Sequence, residues 1–186
     1  ELMDVLAEES RLMPHLHISA QHGDDLILRR MKRRHLGRDI IRFCNEARRR
    51  RPDVAVGADV IAGFPTESCS AHRQTMAMIK DAGISYLHVF PYSPRPSTPA
   101  ADMPQLDGVV IKQRAGELRE LGKAQLHQHL ETVIGTIDRM LVESGNVGHG
   151  RNFAKIRLDQ PFVPASTLVD VKIYRRDQDM LLAHVV

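Results

Sequence analysis

The sequence predicts an α/β protein in which a parallel sheet is followed by a small antiparallel β-barrel. In the first part of the chain, short apolar runs alternate with single helical segments of about 10 to 15 residues, which is typical of βαβ units. After Gly135 the pattern changes to short alternating runs separated by turn residues, which is typical of a small barrel. This alternation fits either an open doubly wound sheet or a sector of a barrel. Its three strands are too few to complete either fold.

The first strand is preceded by one helix and followed by two. The opening residues ELMDVLAEESRLM form an acidic amphipathic pattern, and the alternation in PHLHISAQHG predicts a strand with a polar end. The segment DDLILRRMKRRH predicts a helix capped by Asp24 or Asp25. A further helix, DIIRFCNEARRRR, begins at the capping residue Asp39 and stops before Pro52.

Two more strands follow, separated by one helix. VAVGADVIAGF and ISYLHVFPYS predict the strands, and the helix between them is capped by Ser68 and followed by Gly83. Neighbouring parallel strands end at one edge of a sheet, and right-handed crossovers connect such strands. We therefore expect residues 19–21, 61–63 and 89–92 to meet there.

A long amphipathic helix, DGVVIKQRAGELRELGKAQLHQHLETV, leads from the α/β part to the barrel. The predicted barrel segments are TIDRMLVES, RNFAKIRLD, LVDVKIYRR and MLLAHVV, each bounded by turn residues.

Composition limits the classes of function. The net charge is +3 with a pI near 9.1 and bunched basic residues, which is compatible with a polyanionic partner. No apolar run approaches the roughly 20 residues that cross a bilayer, and no signal segment opens the sequence. We expect a cytoplasmic protein that binds neither membranes nor DNA. The two cysteines, Cys44 and Cys69, have no metal-ligand spacing and are expected to be plain thiols.

Four segments, in order, carry a family resemblance. They are HLHISAQHGDDLILRRMKRRH, DVIAGFPTES, HVFPYSPRPSTPAADMP and a terminal all-β module containing LVE and GRNFAKI. Together they closely resemble the radical-SAM methylthiotransferase family, and within it the branch that methylthiolates threonylcarbamoyladenosine beside the tRNA anticodon. The resemblance implies that residues 1–132 are the later half of a radical-SAM (β/α) barrel with a linking helix. It implies that residues 133–186 are a TRAM-like RNA-binding β-barrel.

The resemblance also implies an activity and its cofactors. Members of this branch use S-adenosylmethionine and 4Fe-4S clusters to add a methylthio group to C2 of the modified adenosine. The family's CxxxCxxC loop has no counterpart in this sequence, so we expect the chain to hold no cluster and to be inactive alone. Two alternatives stay open: a ribosomal-protein aspartate methylthiotransferase, which shares the scaffold, and an RNA-binding module with no chemistry of its own.

Candidate cofactor-binding residues lie at the strand ends, where parallel α/β folds bind ligands. They are Ser19, Gln21, Arg33, Ile61, Gly63, Phe90 and Tyr92. Short polar side chains suit the ribose or the amino-acid end of the cofactor, a guanidinium suits its carboxylate, and aromatic rings suit the adenine. Gly63 would let the backbone approach the adenine closely. The alternatives are a plain strand-to-helix turn, a solvated arginine and aromatic rings that fill the core.

Candidate RNA-binding residues are basic side chains among the alternating segments of the barrel. They are Arg139, Arg151, Lys155, Arg157, Lys172 and Arg175. With few aromatic residues nearby, we expect contacts to phosphate and RNA shape to dominate over base recognition.

Three histidines near the first strand raise the possibility of a metal site. His15 and His17 share a strand face and His22 follows the turn, while the nearest acids are better used as helix caps. We expect polar lining here and no metal.

Overall fold

The computed structural model describes residues 1–159 and 162–186. The α/β part contains α1 (Leu2–Glu8), β1 (His15–Gln21), α2 (Asp25–Arg30), α3 (Gly37–Arg50), β2 (Ala55–Ala62), α4 (Cys69–Asp81) and β3 (Tyr86–Pro91). The remainder contains α5 (Gly108–Val133), β4 (Ile137–Ser144), β5 (Val147–Gly150), β6 (Lys155–Leu158), β7 (Leu168–Asp177) and β8 (Met180–Val185). No helix in these two described stretches is long and apolar enough to cross a membrane. The predicted α/β part and barrel are confirmed.

The first sheet consists of three adjacent parallel strands in the order β1-β2-β3. Because the strands are parallel and adjacent, their carboxyl ends lie at one edge, as predicted. Ile61 pairs with Phe90 near that edge. The expected cluster of strand ends is therefore present.

The two faces of this sheet differ in what covers them. Alternate residues of β2, including Val56, Ala58 and Val60, are fully buried and pack against Ile79 and Leu118 from the helices. The residues between them face the opposite side, where Asp59 is only half-buried. Helices thus cover one face, and the other carries polar side chains.

The predicted caps of α2 and α3 differ in outcome. The Asp24 side chain accepts hydrogen bonds from the backbone N–H groups of Leu26 and Ile27, so it caps α2 as predicted. The prediction that Asp39 caps α3 was wrong, because the helix begins earlier, at Gly37. The Asp39 carboxylate instead reaches back to the N–H of Leu36, at 3.0 Å, from the third position of the helix.

The second sheet is a closed barrel with the strand order β4-β5-β6-β8-β7. Strand directions cannot alternate all the way around a ring of five, so one neighbouring pair must be parallel, and that pair is β6 with β8. Strand β5 was not predicted as a separate strand. Its residues Val147–Gly150 include two glycines, which have low strand propensity, and their conformation depends on pairing with β4 and β6.

Helix α5 contributes to both hydrophobic cores. Ala115, Leu118 and Leu121 pack in the core of the α/β part, whereas Leu130 is fully buried in the barrel core. The boundary predicted between residues 132 and 133 falls at the last turn of this helix. That boundary stays a prediction.

Candidate functional site

The carboxyl edge of the three-stranded sheet brings together three of the candidate residues. Ile61 and Phe90 are paired neighbours on β2 and β3, and Phe90 is 51% exposed. Ser19, near the end of β1, is also exposed. We call these three residues the candidate cofactor edge. It offers apolar surface for a flat ring and a hydroxyl group beside it.

The turn after β2 is held by a buried carboxylate. Gly63 has a φ of +74°, a conformation that side chains disfavour. Its N–H donates a 2.5 Å hydrogen bond to Oε2 of Glu67, which holds the turn. A Cβ at position 63 would lie 2.7 Å from Cγ1 of Ile111 on α5. Backbone conformation and the packing of α5 therefore both favour glycine at this position.

Glu67 is the centre of a buried network that also contains His22, His72 and Arg114. Its Oε1 atom lies 3.5 Å from Nε2 of His22 and 3.4 Å from Nδ1 of His72. Arg114 donates a 2.8 Å hydrogen bond to the Glu67 carbonyl oxygen, and its guanidinium lies 3.5 Å from Oε2. The network thus joins the end of β1, the turn after β2, α4 and α5.

The pKa values of this network reflect its burial and its charges. Burial alone would raise the pKa of Glu67, but the His22 and His72 rings and the charge of Arg114 lower it to about 2. The Glu67 carboxylate, with a smaller contribution from Glu117, raises the pKa of His72 against the opposing effect of burial. Glu67 is therefore ionised over the whole physiological pH range.

The other candidate cofactor residues differ in exposure and contacts. Gln21 is half-buried with a φ of +67°, at the end of β1. Arg33 is exposed, and its side chain makes no hydrogen bond or ion pair within the described residues. Tyr92 is half-buried and packs edge-on against Phe64, with ring centroids 5.4 Å apart. The structure thus matches the core-filling alternative for Tyr92 more closely than an exposed stacking position.

The basic residues of the barrel divide into paired and unpaired side chains. Arg139 pairs with Asp170, Arg151 with Asp138, and Arg157 with Asp177, at 2.8, 2.7 and 3.1 Å. Lys172 donates a hydrogen bond to the carbonyl oxygen of Gly135.

The unpaired basic side chains are Lys155 and Arg175, which make no side-chain hydrogen bond or ion pair in the part of the chain that the structure describes. On β6, exposed Lys155 alternates with buried Ile156, so the lysine points outward. These two side chains can contact phosphate without first breaking an ion pair.

The two cysteines do not fit an iron–sulfur cluster. Cys44 is fully buried in the core of the α/β part, and Cys69 is exposed at the start of α4. Such a cluster takes three or four thiolate ligands, and the sequence contains two cysteines in all. Burial raises the pKa of the Cys44 thiol, which further disfavours the thiolate form that binds metal.

Sequence reasoning missed two groups of polar residues. One is the Glu67 network, which joins residues far apart in the sequence. The other lies on the polar face of the sheet, where Asp59 and His88 are paired neighbours on β2 and β3. The signal that could have found the second group is a single polar residue within each of two otherwise apolar strands.

Comparisons with known proteins find relatives that are all named as enzymes of tRNA methylthiolation. No family model matches the chain. It is 48% identical over 160 residues, or 86% of its length, to the threonylcarbamoyladenosine tRNA methylthiotransferase of Rickettsia prowazekii. It is 33% identical over 179 residues, or 96% of its length, to the tRNA-2-methylthio-N(6)-dimethylallyladenosine synthase of Neorickettsia sennetsu. The protein of that name from Shewanella frigidimarina is 33% identical over 181 residues, or 93% of the chain. The chain spans 38% of the length of each of these three relatives.

Proposed function

The chain belongs to the radical-SAM methylthiotransferase family, and from this we propose that it is the part of a tRNA methylthiotransferase that binds S-adenosylmethionine and tRNA. The proposed substrate is threonylcarbamoyladenosine beside the anticodon, and the proposed product carries a methylthio group at C2 of the adenine. A protein with this substrate acts in the cytoplasm.

The observation that carries the choice of substrate is a difference in similarity. Identity to the relative named for threonylcarbamoyladenosine is 48%, whereas identity to the relatives named for dimethylallyladenosine is 33%. The two types share the scaffold, so the additional identity supports the first substrate.

S-adenosylmethionine, when bound beside a reduced 4Fe-4S cluster, supplies the radical and the methyl group for this chemistry. The chain's own residues would bind and orient it. Ile61 and Phe90 would cover the adenine ring with apolar surface, and the hydroxyl of Ser19 would meet the ribose or the amino-acid end. Gln21 and Arg33 would add polar contacts, and the Glu67 network would hold the turn at Gly63 in place. Because the two cysteines do not fit a cluster, we expect this chain alone to be inactive.

The barrel would bind the tRNA backbone, and its internal ion pairs limit how much each arginine contributes to the affinity. Arg139, Arg151 and Arg157 would have to exchange an aspartate for a phosphate, so their net gain is small. Lys155 and Arg175 lose no ion pair on binding. We therefore propose that these two side chains provide most of the electrostatic affinity.

Salt dependence of tRNA binding tests the role of the barrel. Affinity should fall with a log–log slope of about −0.7 to −0.9 for each neutralised phosphate. Lys155→Ala should flatten this slope by roughly one and weaken all RNAs about equally. Lys123→Ala, which removes an exposed lysine from α5, is the matched control and should leave the slope unchanged. Salt-independent binding, or equal effects of both variants, would contradict a phosphate-binding barrel.

Enzyme activity should be tested with the longest natural polypeptide that contains this sequence. It should be expressed in cells that lack their own threonylcarbamoyladenosine methylthiotransferase, and digested tRNA should then be analysed by mass spectrometry. Restored methylthio-threonylcarbamoyladenosine would support the proposal. Methylthiolation of a ribosomal-protein aspartate would indicate the first alternative, and tRNA binding with no modification of either target would indicate an RNA-binding module without chemistry.

A further inference from the structure

The polar face of the sheet, opposite the helices of the core, brings together one side chain from each strand: two histidines and an aspartate. Nε2 of His17 on β1 lies 2.9 Å from Oδ1 of Asp59 on β2. Nδ1 of His88 on β3 lies 3.4 Å from the same oxygen. The ligand atoms of all three residues lie within 4.8 Å of one another. We call these residues the His–Asp–His cluster.

A glycine in the central strand makes room for this arrangement. Gly57 is paired with His17, and a Cβ at position 57 would lie 2.6 Å from Nδ1 of the His17 ring. Glycine inside a strand is unfavourable and often marks a place where another group approaches closely. Here that group is the His17 imidazole, which lies across the strand towards Asp59.

The two nitrogen–oxygen distances in the cluster, 2.9 and 3.4 Å, match those between ligands that share one metal ion. For metal–ligand bonds of about 2.1 Å, two ligand atoms are about 3.0 Å apart at right angles and about 3.4 Å apart in a tetrahedron. Hydrogen bonding accounts for only part of the cluster, because His17 is hydrogen-bonded to Asp59 whereas His88 makes no hydrogen bond to it within the described residues. A shared cation accounts for both imidazoles at once.

We propose that His17, Asp59 and His88 bind a divalent first-row transition-metal ion such as Zn²⁺. Two neutral imidazoles and one carboxylate form a donor set that such ions favour, and the set leaves coordination positions open. The side chains of His17 and His88 are 35% and 59% exposed, so the open positions are accessible from solvent. This grouping differs from that of His15, His17 and His22, which the sequence analysis considered.

The proposed ion lies close to the candidate cofactor edge but does not depend on it. His17, Asp59 and His88 each precede one residue of that edge by two positions, which is about 6.6 Å along a strand. The metal site therefore forms the adjacent layer of the same face. Its test requires neither S-adenosylmethionine nor tRNA.

The test is titration of the full 186-residue chain, without any histidine tag, with Zn²⁺ by calorimetry and with Co²⁺ by visible absorption. We expect one ion per chain and a cobalt spectrum of four- or five-coordinate type. His88→Gln and Asp59→Asn should each weaken binding at least about tenfold. His88→Cys should retain the ion and add a thiolate-to-cobalt charge-transfer band, which a merely structural histidine would not produce.

His127→Gln is the matched control. His127 pairs with Asp179 at 2.6 Å and is 28% exposed, but no third ligand residue joins this pair among the described residues, so binding should be unchanged. Less than one ion per chain, or an affinity that neither His88→Gln nor Asp59→Asn lowers, would overturn the proposal. If circular dichroism shows that His88→Gln is unfolded, the charge-transfer band of His88→Cys is the deciding test. Its presence would support a metal ligand at position 88, and its absence would overturn the proposal.

Discussion

Replacing Glu67 with glutamine tests whether a buried charge stabilises the turn that ends β2. Glutamine has nearly the same shape and keeps an oxygen that can accept the N–H of Gly63. What it removes is the negative charge close to His22, His72 and Arg114. The change in stability therefore reports the electrostatic part of the network.

The expected magnitude follows from the pKa of Glu67. Burial opposes ionisation, yet the neighbouring histidines and arginine lower the pKa from an ordinary 4.5 to about 2. This difference corresponds to about 3 kcal/mol of stability when the carboxylate is ionised. Because the folded state has the lower pKa, the contribution is complete above about pH 4.5 and is lost as the pH falls towards 2.

His72 adds a dependence of the opposite sign. Its pKa is raised above the ordinary 6.5, chiefly by Glu67. The stability that it contributes is complete below about pH 6.5 and is lost as the pH rises through the raised value. The network is therefore most stabilising between about pH 4.5 and 6.5.

The assay is urea unfolding followed by far-ultraviolet circular dichroism at several pH values from about 3 to 8. At about pH 6 we expect Glu67→Gln to lower the free energy of unfolding by about 3 kcal/mol. The difference between variant and parent should shrink as the pH falls below 4.5. Glu117→Gln is the control, since Glu117 contacts the same His72 but is 41% exposed, and it should cost less than about 1 kcal/mol.

Equal stability of Glu67→Gln and the parent at about pH 6 would refute this reasoning. So would a difference that stays constant from about pH 6 down to about pH 3, because the charge would then have no part in it.

Two further substitutions and one reconstitution experiment test other parts of the structure. Gly63→Ala should lower the free energy of unfolding by about 1–2 kcal/mol from backbone conformation alone, with more lost to the clash with Ile111, as measured by urea unfolding. The Phe153 ring stacks on His15 and His149, with ring centroids 5.0 and 4.7 Å away. Phe153→Ala should therefore lower the thermal midpoint of unfolding. Phe162→Ala, at a 76% exposed position, is the control and should leave that midpoint unchanged. Iron and sulfide reconstitution should leave no stable cluster, and a charge-transfer absorption that disappears in Cys44→Ala would show otherwise.

Local patterns in the sequence were sufficient to predict most of the elements. The caps at Asp24 and Ser68 were correct, because a capping side chain bonds to backbone groups only two or three residues away. Asp39 was misplaced, since a carboxylate at the third position of a helix can resemble a cap in sequence. The strand β5 was missed because its glycines are held by partners on other strands.

Long-range pairing decided the sites. The sequence placed Ser19, Ile61 and Phe90 at strand ends, and the alternation of strands with helices was enough to predict that these ends meet. It could not show that Gly63 faces Ile111, or that Tyr92 packs on Phe64, because those contacts depend on how loops and α5 lie over the sheet.

The sequence by itself therefore determined the order of the elements other than β5, the family and the edge at which the parallel strands end. Only the tertiary structure decided which polar side chains meet. His17 and Asp59 are 42 residues apart in the chain, and their contact depends on strand register and on the space above Gly57. Local sequence patterns extend over a few residues, whereas register is set by packing across the whole sheet.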